Sequence, residues 1–84
     1  MSTTKVDLSE TLQAVVSPLV SEVDAIRITS RATEAGLILT LRVSQDETGR
    51  IIGRGGETIR SIRTVMAAAA RAAGTRLQLD VPDA

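Results

Sequence analysis

Ile51-Ile52-Gly53-Arg54-Gly55-Gly56-Glu57-Thr58-Ile59 is the stretch whose reading decides the fold. Two bulky aliphatics run into a four-residue turn of three glycines and one arginine. Another aliphatic returns three places after the last glycine. Glycine reaches backbone angles closed to other residues and lets a ligand approach the chain closely. The residues from Thr58 to Ala73 predict a long helix, so the turn should present backbone N–H groups at a helix N-terminus. Such a terminus favours anions, phosphate above all. Arg54 stands at the tip, where a guanidinium can meet the same phosphates.

Three glycine-loop chemistries compete for these residues. A Walker A loop counted from Gly49 puts Arg54 at its second glycine and leaves Gly55 and Gly56 where the lysine and the hydroxyl belong. A dinucleotide fingerprint counted from Gly53 finds Thr58 at its third glycine and requires a buried strand beforehand. What precedes is a short polar segment that predicts a turn of helix. The third chemistry, a Gly-x-x-Gly loop between two helices, fits, and the stretch resembles the signature of KH domains: paired aliphatics, Gly-x-x-Gly, then an aliphatic. An ordinary glycine-rich turn between helices would read the same, so the rest of the chain must decide.

Composition narrows the choice. The chain has 84 residues, enough for one small domain with a modest core. It contains no cysteine and no histidine, which removes disulfides, thiolate metal sites and the commonest general base. No stretch is long and apolar enough to span a bilayer, and Met1-Ser2-Thr3-Thr4 opens no signal peptide, so a soluble, cytoplasmic protein is expected. Aromatic residues are absent, which argues against the ring-stacking platforms of RRM and OB folds. The net charge of zero is unevenly spread: residues 1–26 carry net −3 and residues 45–76 net +3. Arginine gathers around the glycine loop and its helix, as a nucleic-acid footprint or as a solvated helix face.

Read in order, residues 1–7 are an expected flexible tail, with Asp7 and Glu10 placed to cap a helix. Leu8, Leu12, Val15, Val16, Leu19, Val20 and Val23 mark one helical face. Pro18 limits the helix to about residues 8–17, followed by a bend or looser turn. Residues 25–30 alternate as a strand with Ile26 and Ile28 inward, residues 31–35 read as a loop, and residues 37–43 as a second strand. The short loop predicts an antiparallel hairpin. Ser44 and Glu47 read as a capping box opening a short helix to about Ile52, and Gly49 within it suggests close packing. On the long helix, Ile59, Ile62, Val65, Met66, Ala69 and Ala73 should face the core, and its alanine run reads as close packing rather than helix docking. Gly74 stops that helix, residues 76–81 form the last strand, and residues 82–84 are a short tail.

The resulting α-β-β-α-α-β order resembles the type II KH domain of bacteria, an α+β fold with three helices on one face of a three-stranded mixed sheet. The likeness covers residues 8–81 and extends to small bacterial proteins that are little more than one such domain, the KhpA-like group. It implies a binder of single-stranded RNA, an RNA chaperone or post-transcriptional regulator, that holds about four nucleotides. On that resemblance Gly53 and Gly56 are the fixed glycines, Arg54 and Gly55 the variable positions, and Arg54 a phosphate contact. Ile51, Ile52 and Ile59 match the flanking aliphatics, some in the core and others flooring a base groove. Arg50 and Arg60 flank the loop and add phosphate contacts or lie in solvent. The resemblance also implies self-association as a homodimer and pairing with a larger, Jag-like RNA-binding protein.

No cofactor or metal is implied. Binding by one domain of zero net charge without aromatics should be weak and of modest specificity. Two other classes stay open: a KH-fold interaction module whose RNA contact is incidental, and a phosphate-handling enzyme. The second lacks histidine, cysteine, a Walker lysine and any carboxylate cluster beyond Asp46 and Glu47.

Overall fold

The computed structural model describes residues 7–82. The expected tails therefore lie outside the described residues, except for Asp7 and Pro82. Asp7 caps the first helix, α1 (Leu8–Val16), its Oδ1 accepting from the backbone N–H of Ser9 at 3.0 Å and of Glu10 at 3.3 Å. Such a cap satisfies donors that have no partner within the helix. Pro18 has the effect its ring requires: α1 gives way to a 3₁₀ turn over Ser17–Leu19. Leu8, Leu12 and Val16 bury one face of α1.

A second 3₁₀ turn, Val23–Ala25, leads into β1 (Arg27–Thr33), which pairs antiparallel with β2 (Gly36–Arg42). The first strand is thus shifted along the chain from the expected residues 25–30: Ala25 and the cap residue Ile26 belong to the turn before it, and it takes in residues 31–33, which were expected as loop. Those residues are polar or small because they face water, and cross-strand pairing through Arg31–Ile38 and Thr33–Gly36 holds them extended. Leu39 and Leu41 are fully buried and Val43 nearly so, as the shared face required.

A 3₁₀ turn at Gln45–Glu47 precedes α2 (Thr48–Ile52), and a turn at Arg54–Gly56 separates it from α3 (Glu57–Ala72). Two expectations fail here. Ser44 makes no side-chain cap, and the Glu47 carboxylate reaches away from its own helix to another segment. Gly49 is exposed, and a methyl group placed on it would meet nothing within 4 Å. Its space is open, not tightly packed.

On α3 the buried seam is Ile59, Ile62, Met66 and Ala70, with Ala69 half-buried. Val65 is 48% exposed, a correction: at about 100° per residue it lies well off the line through Ile62 and Met66. Ala73 falls past the last turn and is exposed too, and so are Ala67, Ala68 and Ala72. The helix closes with Gly74 N–H donating to the Arg71 carbonyl at 3.0 Å and Thr75 N–H to that of Ala70 at 2.9 Å.

The final strand, β3 (Leu77–Asp80), pairs parallel with β2. Strand order β1-β2-β3 makes the sheet mixed, with β2 at its centre. The helices cover one face, and the core between the layers joins Leu12, Val16, Leu39, Leu41, Ile51 and Met66. Since α3 leads back into a strand parallel to β2, its first turn lies at the end of the sheet where β2 and β3 finish. The bond from Arg63 to the Leu79 carbonyl, 3.2 Å, fixes that alignment. No helix among the described residues is long and apolar enough to cross a membrane.

Candidate nucleic-acid interface

The glycine loop is shaped by three positive backbone angles. Gly53 has φ 76° and ψ 170°, a region that only glycine occupies comfortably. Any Cβ there would also overlap Thr58 Oγ1 and come within 2.7 Å of Thr58 Cβ. Gly55 and Gly56 follow at φ 63° and 76°, in left-handed conformation, with open space around Gly55 and only ordinary contacts, to Arg60 at 3.9 Å and Ile59 at 4.0 Å, around a Cβ at Gly56. Gly53 is therefore fixed twice, by angle and by contact, and the other two by angle alone.

These angles decide which amides have partners. Gly53 N–H donates to the Gly49 carbonyl at 2.8 Å and Gly56 N–H to that of Gly53 at 3.1 Å. Glu57 N–H donates to the Arg54 carbonyl. The consecutive amides of Arg54 and Gly55 have no acceptor among the described residues. The fixed glycines thus bend the chain, and the two residues between them carry the available donors. Arg60 folds back from the first turn of α3, its Nη2 donating to the Gly55 carbonyl at 3.1 Å. The Arg54 side chain is exposed and makes no bond among the described residues. Two guanidiniums and two amides meet at the head of α3, where the helix dipole adds a positive field.

The remaining expected residues separate. Ile51 is completely buried and Ile59 nearly so, so both are core residues with no surface to floor a groove. Ile52 is half-buried and is the aliphatic of the three that keeps surface beside the loop. Arg50 turns away: its Nη1 donates to Ser21 Oγ at 3.2 Å and pairs with Glu47 Oε2 at 3.3 Å. Glu47, buried, also accepts from the consecutive backbone amides of Ser21 at 2.5 Å and Glu22 at 2.9 Å. Those two backbone donors, Ser21 first, hold its pKa below the usual carboxylate value, and Arg50 adds to the effect. This carboxylate ties the segment after α1 to the start of α2.

Sequence reasoning missed the cleft beside the loop. Arg63, Ala67 and Arg71 recur every fourth residue and make one stripe of α3. This stripe faces the outer edge of β3 across a cleft of about 440 Å³ lined with Leu77, Gln78, Leu79 and Asp80. A second cleft of about 620 Å³ continues it past Arg71 to Thr75 and Arg76, sharing Ala67 and Leu77. Parallel pairing alternates the backbone groups of an edge strand. Arg76 accepts from Leu37 N–H toward β2 at 2.8 Å, so the groups of Leu77 and Leu79 point outward into the cleft. Arg63 already occupies the Leu79 carbonyl. The stripe was visible in the spacing. The strand edge opposite it was not, because nothing local says that β3 lies outermost.

A family model of the KhpA/KhpB KH domain matches residues 9–81. The RNA-binding protein KhpA of Borreliella burgdorferi is 39% identical over 74 residues, covering 88% of this chain and 90% of the relative. Its counterpart in Leifsonia xyli is 36% identical over 76 residues, 90% of this chain and 97% of the relative. That of Bacillus subtilis is 33% identical over 76 residues, 90% and 94% respectively.

Proposed function

The chain belongs to the KhpA/KhpB KH-domain family, and from that premise we propose that it binds single-stranded RNA in the cytoplasm through the Gly53–Gly56 loop. The relatives named above are RNA-binding proteins, which supports the general reading. The observation that carries the particular one is the pair of adjacent, unpartnered amides at Arg54 and Gly55, flanked by the guanidiniums of Arg54 and Arg60. Two neighbouring N–H donors at a helix head match two oxygens of one phosphate. Gly55 presents no side chain in the way.

From the phosphate clamp, about four nucleotides run along α3 in the cleft against the β3 edge. The helix is about 24 Å long, which suits that number. Bases would lie against Ile52, Ala67 and Leu77, while Gln78 and the outward backbone groups of Leu77 offer base-edge hydrogen bonds. The protein acts as a chaperone or regulator of RNA and performs no covalent chemistry. Titrating the purified protein with a single-stranded RNA, the matching duplex and free nucleotides tests this. Single strands should bind at about micromolar strength and the duplex and nucleotides far more weakly. Preference for the duplex contradicts the reading.

A second reading is favoured by one surface. Ser61, Thr64, Val65, Ala68 and Ala72 form an uncharged, exposed stripe along α3, centred on the half-exposed Val65. A homodimer formed there, or a heteromer with a larger Jag-like KH protein, would cover Val65 and bring two RNA clamps together. Linked clamps bind one RNA far more tightly than either alone. Sedimentation across a wide concentration range, with Ala68 replaced by Gln, measures it: the wild type should dimerise and the variant should not.

A further inference from the structure

The uncovered face of the sheet holds more positive charge than anything yet assigned to it. Strand register sets its rows: Arg27 beside Arg42, Thr29 beside Thr40 and Asp80, Arg31 beside Ile38 and Gln78, and Thr33 beside Gly36. Arg76, one residue before β3, continues the parity of Gln78 and Asp80 and projects from the same face. Four arginines stand there against Asp80, with Glu34 in the adjoining hairpin turn.

The charge is arranged unevenly. At one end Arg27 is engaged with the carbonyls of Asp24 and Ile26. At the other end, Arg31 and Arg76 are exposed and make no ion pair or hydrogen bond from their side chains among the described residues. Beside Arg76 lies a shallow cleft of about 310 Å³, lined by polar Thr33 and Gln78 and by apolar Ala35, Leu37, Ile38 and Leu77; Arg31 stands outside this lining, paired across the strands with Ile38. Gly36 leaves the middle strand bare there, and any Cβ at that position would press on the Arg76 carbonyl, so the depression is built into the backbone. Ile38, half-buried, gives the cleft an apolar floor.

Arg76 is the connection. It lines this depression and also the far end of the cleft beside α3. A strand leaving that cleft past Arg71 therefore meets Arg76 at the start of β3, the turning point between the two surfaces.

We infer that RNA longer than the four nucleotides of the clamp continues around the start of β3 onto the open face of the sheet. There its phosphates contact Arg76 and Arg31, and a base rests on Ile38. The inference rests on the RNA-binding reading of the loop and extends that site. Its occupant is an RNA single strand because the surface combines unneutralised arginines, hydroxyl and amide groups from Thr33 and Gln78, and one apolar platform. A flat acidic protein face would have no use for the depression.

The test compares RNAs of about five and about fifteen nucleotides, both unstructured, against three proteins: wild type, Arg31→Glu, and Arg54→Asp with Gly55→Asp. The wild type should bind the longer RNA several-fold more tightly, with a steeper salt dependence, by about 0.7 in slope for each added phosphate contact. The sheet variant should bind the short RNA within about twofold of wild type. It should lose several-fold on the long one, its salt slope falling toward that of the short RNA. The Arg31 side chain has no bonding partner among the described residues, so thermal melting should confirm an unchanged fold. If the sheet variant spares both RNAs, or weakens both equally, the path over the sheet is overturned. The loop variant separates this from the parent reading: if it leaves both RNAs bound, the clamp itself fails. If it weakens both while the sheet variant spares both, the clamp stands and the extension falls.

Discussion

The two ends of α2 hold the same arrangement of donors with opposite outcomes. Before the helix, the adjacent amides of Ser21 and Glu22 converge on the two oxygens of Glu47, and Arg50 completes the site. After it, the adjacent amides of Arg54 and Gly55 stand beside Arg60 with no acceptor among the described residues. Where the chain supplies its own anion, two neighbouring N–H groups become a buried fastening. Where it supplies none, at an exposed helix head beside Arg54 and Arg60, the same donors stay unpaired among the described residues, as the proposed phosphate clamp requires. The contrast teaches that a pair of amides is structural or functional according to whether a carboxylate of the chain reaches it.

Breaking the fastening should give the largest effect on stability. Glu47→Gln removes the charge that holds Ser21 and Glu22 and leaves Arg50 without its partner. The melting temperature should fall by several degrees while RNA affinity at low temperature stays within about twofold. Acid makes the same change reversibly. Because the folded protein holds the Glu47 pKa below its ordinary value, this contribution is complete above the ordinary carboxylate range. It is lost as the pH falls through the lowered value. Denaturant unfolding from neutral pH to about pH 3 should show that loss in the wild type and much less of it in Glu47→Gln.

A change that touches both properties comes next. Gly53→Ala forces a left-handed region on alanine and drives its methyl group into Thr58. It should cost at least about 1–3 kcal/mol and abolish RNA binding together, because Gly53 aims the amides that follow it.

Smaller still is the salt effect. Few cations can meet one short RNA at the loop, so log affinity against log salt should have a slope near about 1.4, two phosphates at about 0.7 each. A slope several times steeper would place binding on a broad basic surface. The smallest effect is expected at Gly49, where a methyl group has open space. Gly49→Ala should stabilise the protein by about 0.5–1 kcal/mol, measured by urea unfolding, and leave RNA binding unchanged.

Much of this was legible in the amino-acid order. Periodicity placed α1, β2 and α3, because Leu12, Leu39 and Met66 lie on faces buried by their own regular spacing. Pro18 and Gly74 announced the ends they impose. The glycine loop was legible as a motif, and so was its position between helices. What stayed hidden depends on contacts distant along the chain. Glu47 resembles a capping residue because Ser44 stands three places before it, yet its partners lie 26 and 25 residues away at Ser21 and Glu22. Arg50 follows Glu47 and so leaves the loop it adjoins in sequence. Arg31 to Thr33 read as loop because strand pairing, not apolar alternation, holds them extended. Among Ile51, Ile52 and Ile59, the local pattern could not say which would be core. Ile51 is fully buried in the core, while Ile52, one position on, keeps surface.

The most direct test exchanges the roles of the two amide pairs. Arg54→Asp with Gly55→Asp supplies carboxylates at the loop and removes one guanidinium. Aspartate tolerates the left-handed angle better than most residues, and the loop is exposed, so the fold should persist. Fluorescence anisotropy with a labelled single-stranded RNA, alongside a melting curve of the same sample, measures both consequences. The account predicts an affinity at least about tenfold weaker, more than about 1.4 kcal/mol, with the melting temperature essentially unchanged. A folded double variant that binds RNA as tightly as the wild type would contradict it.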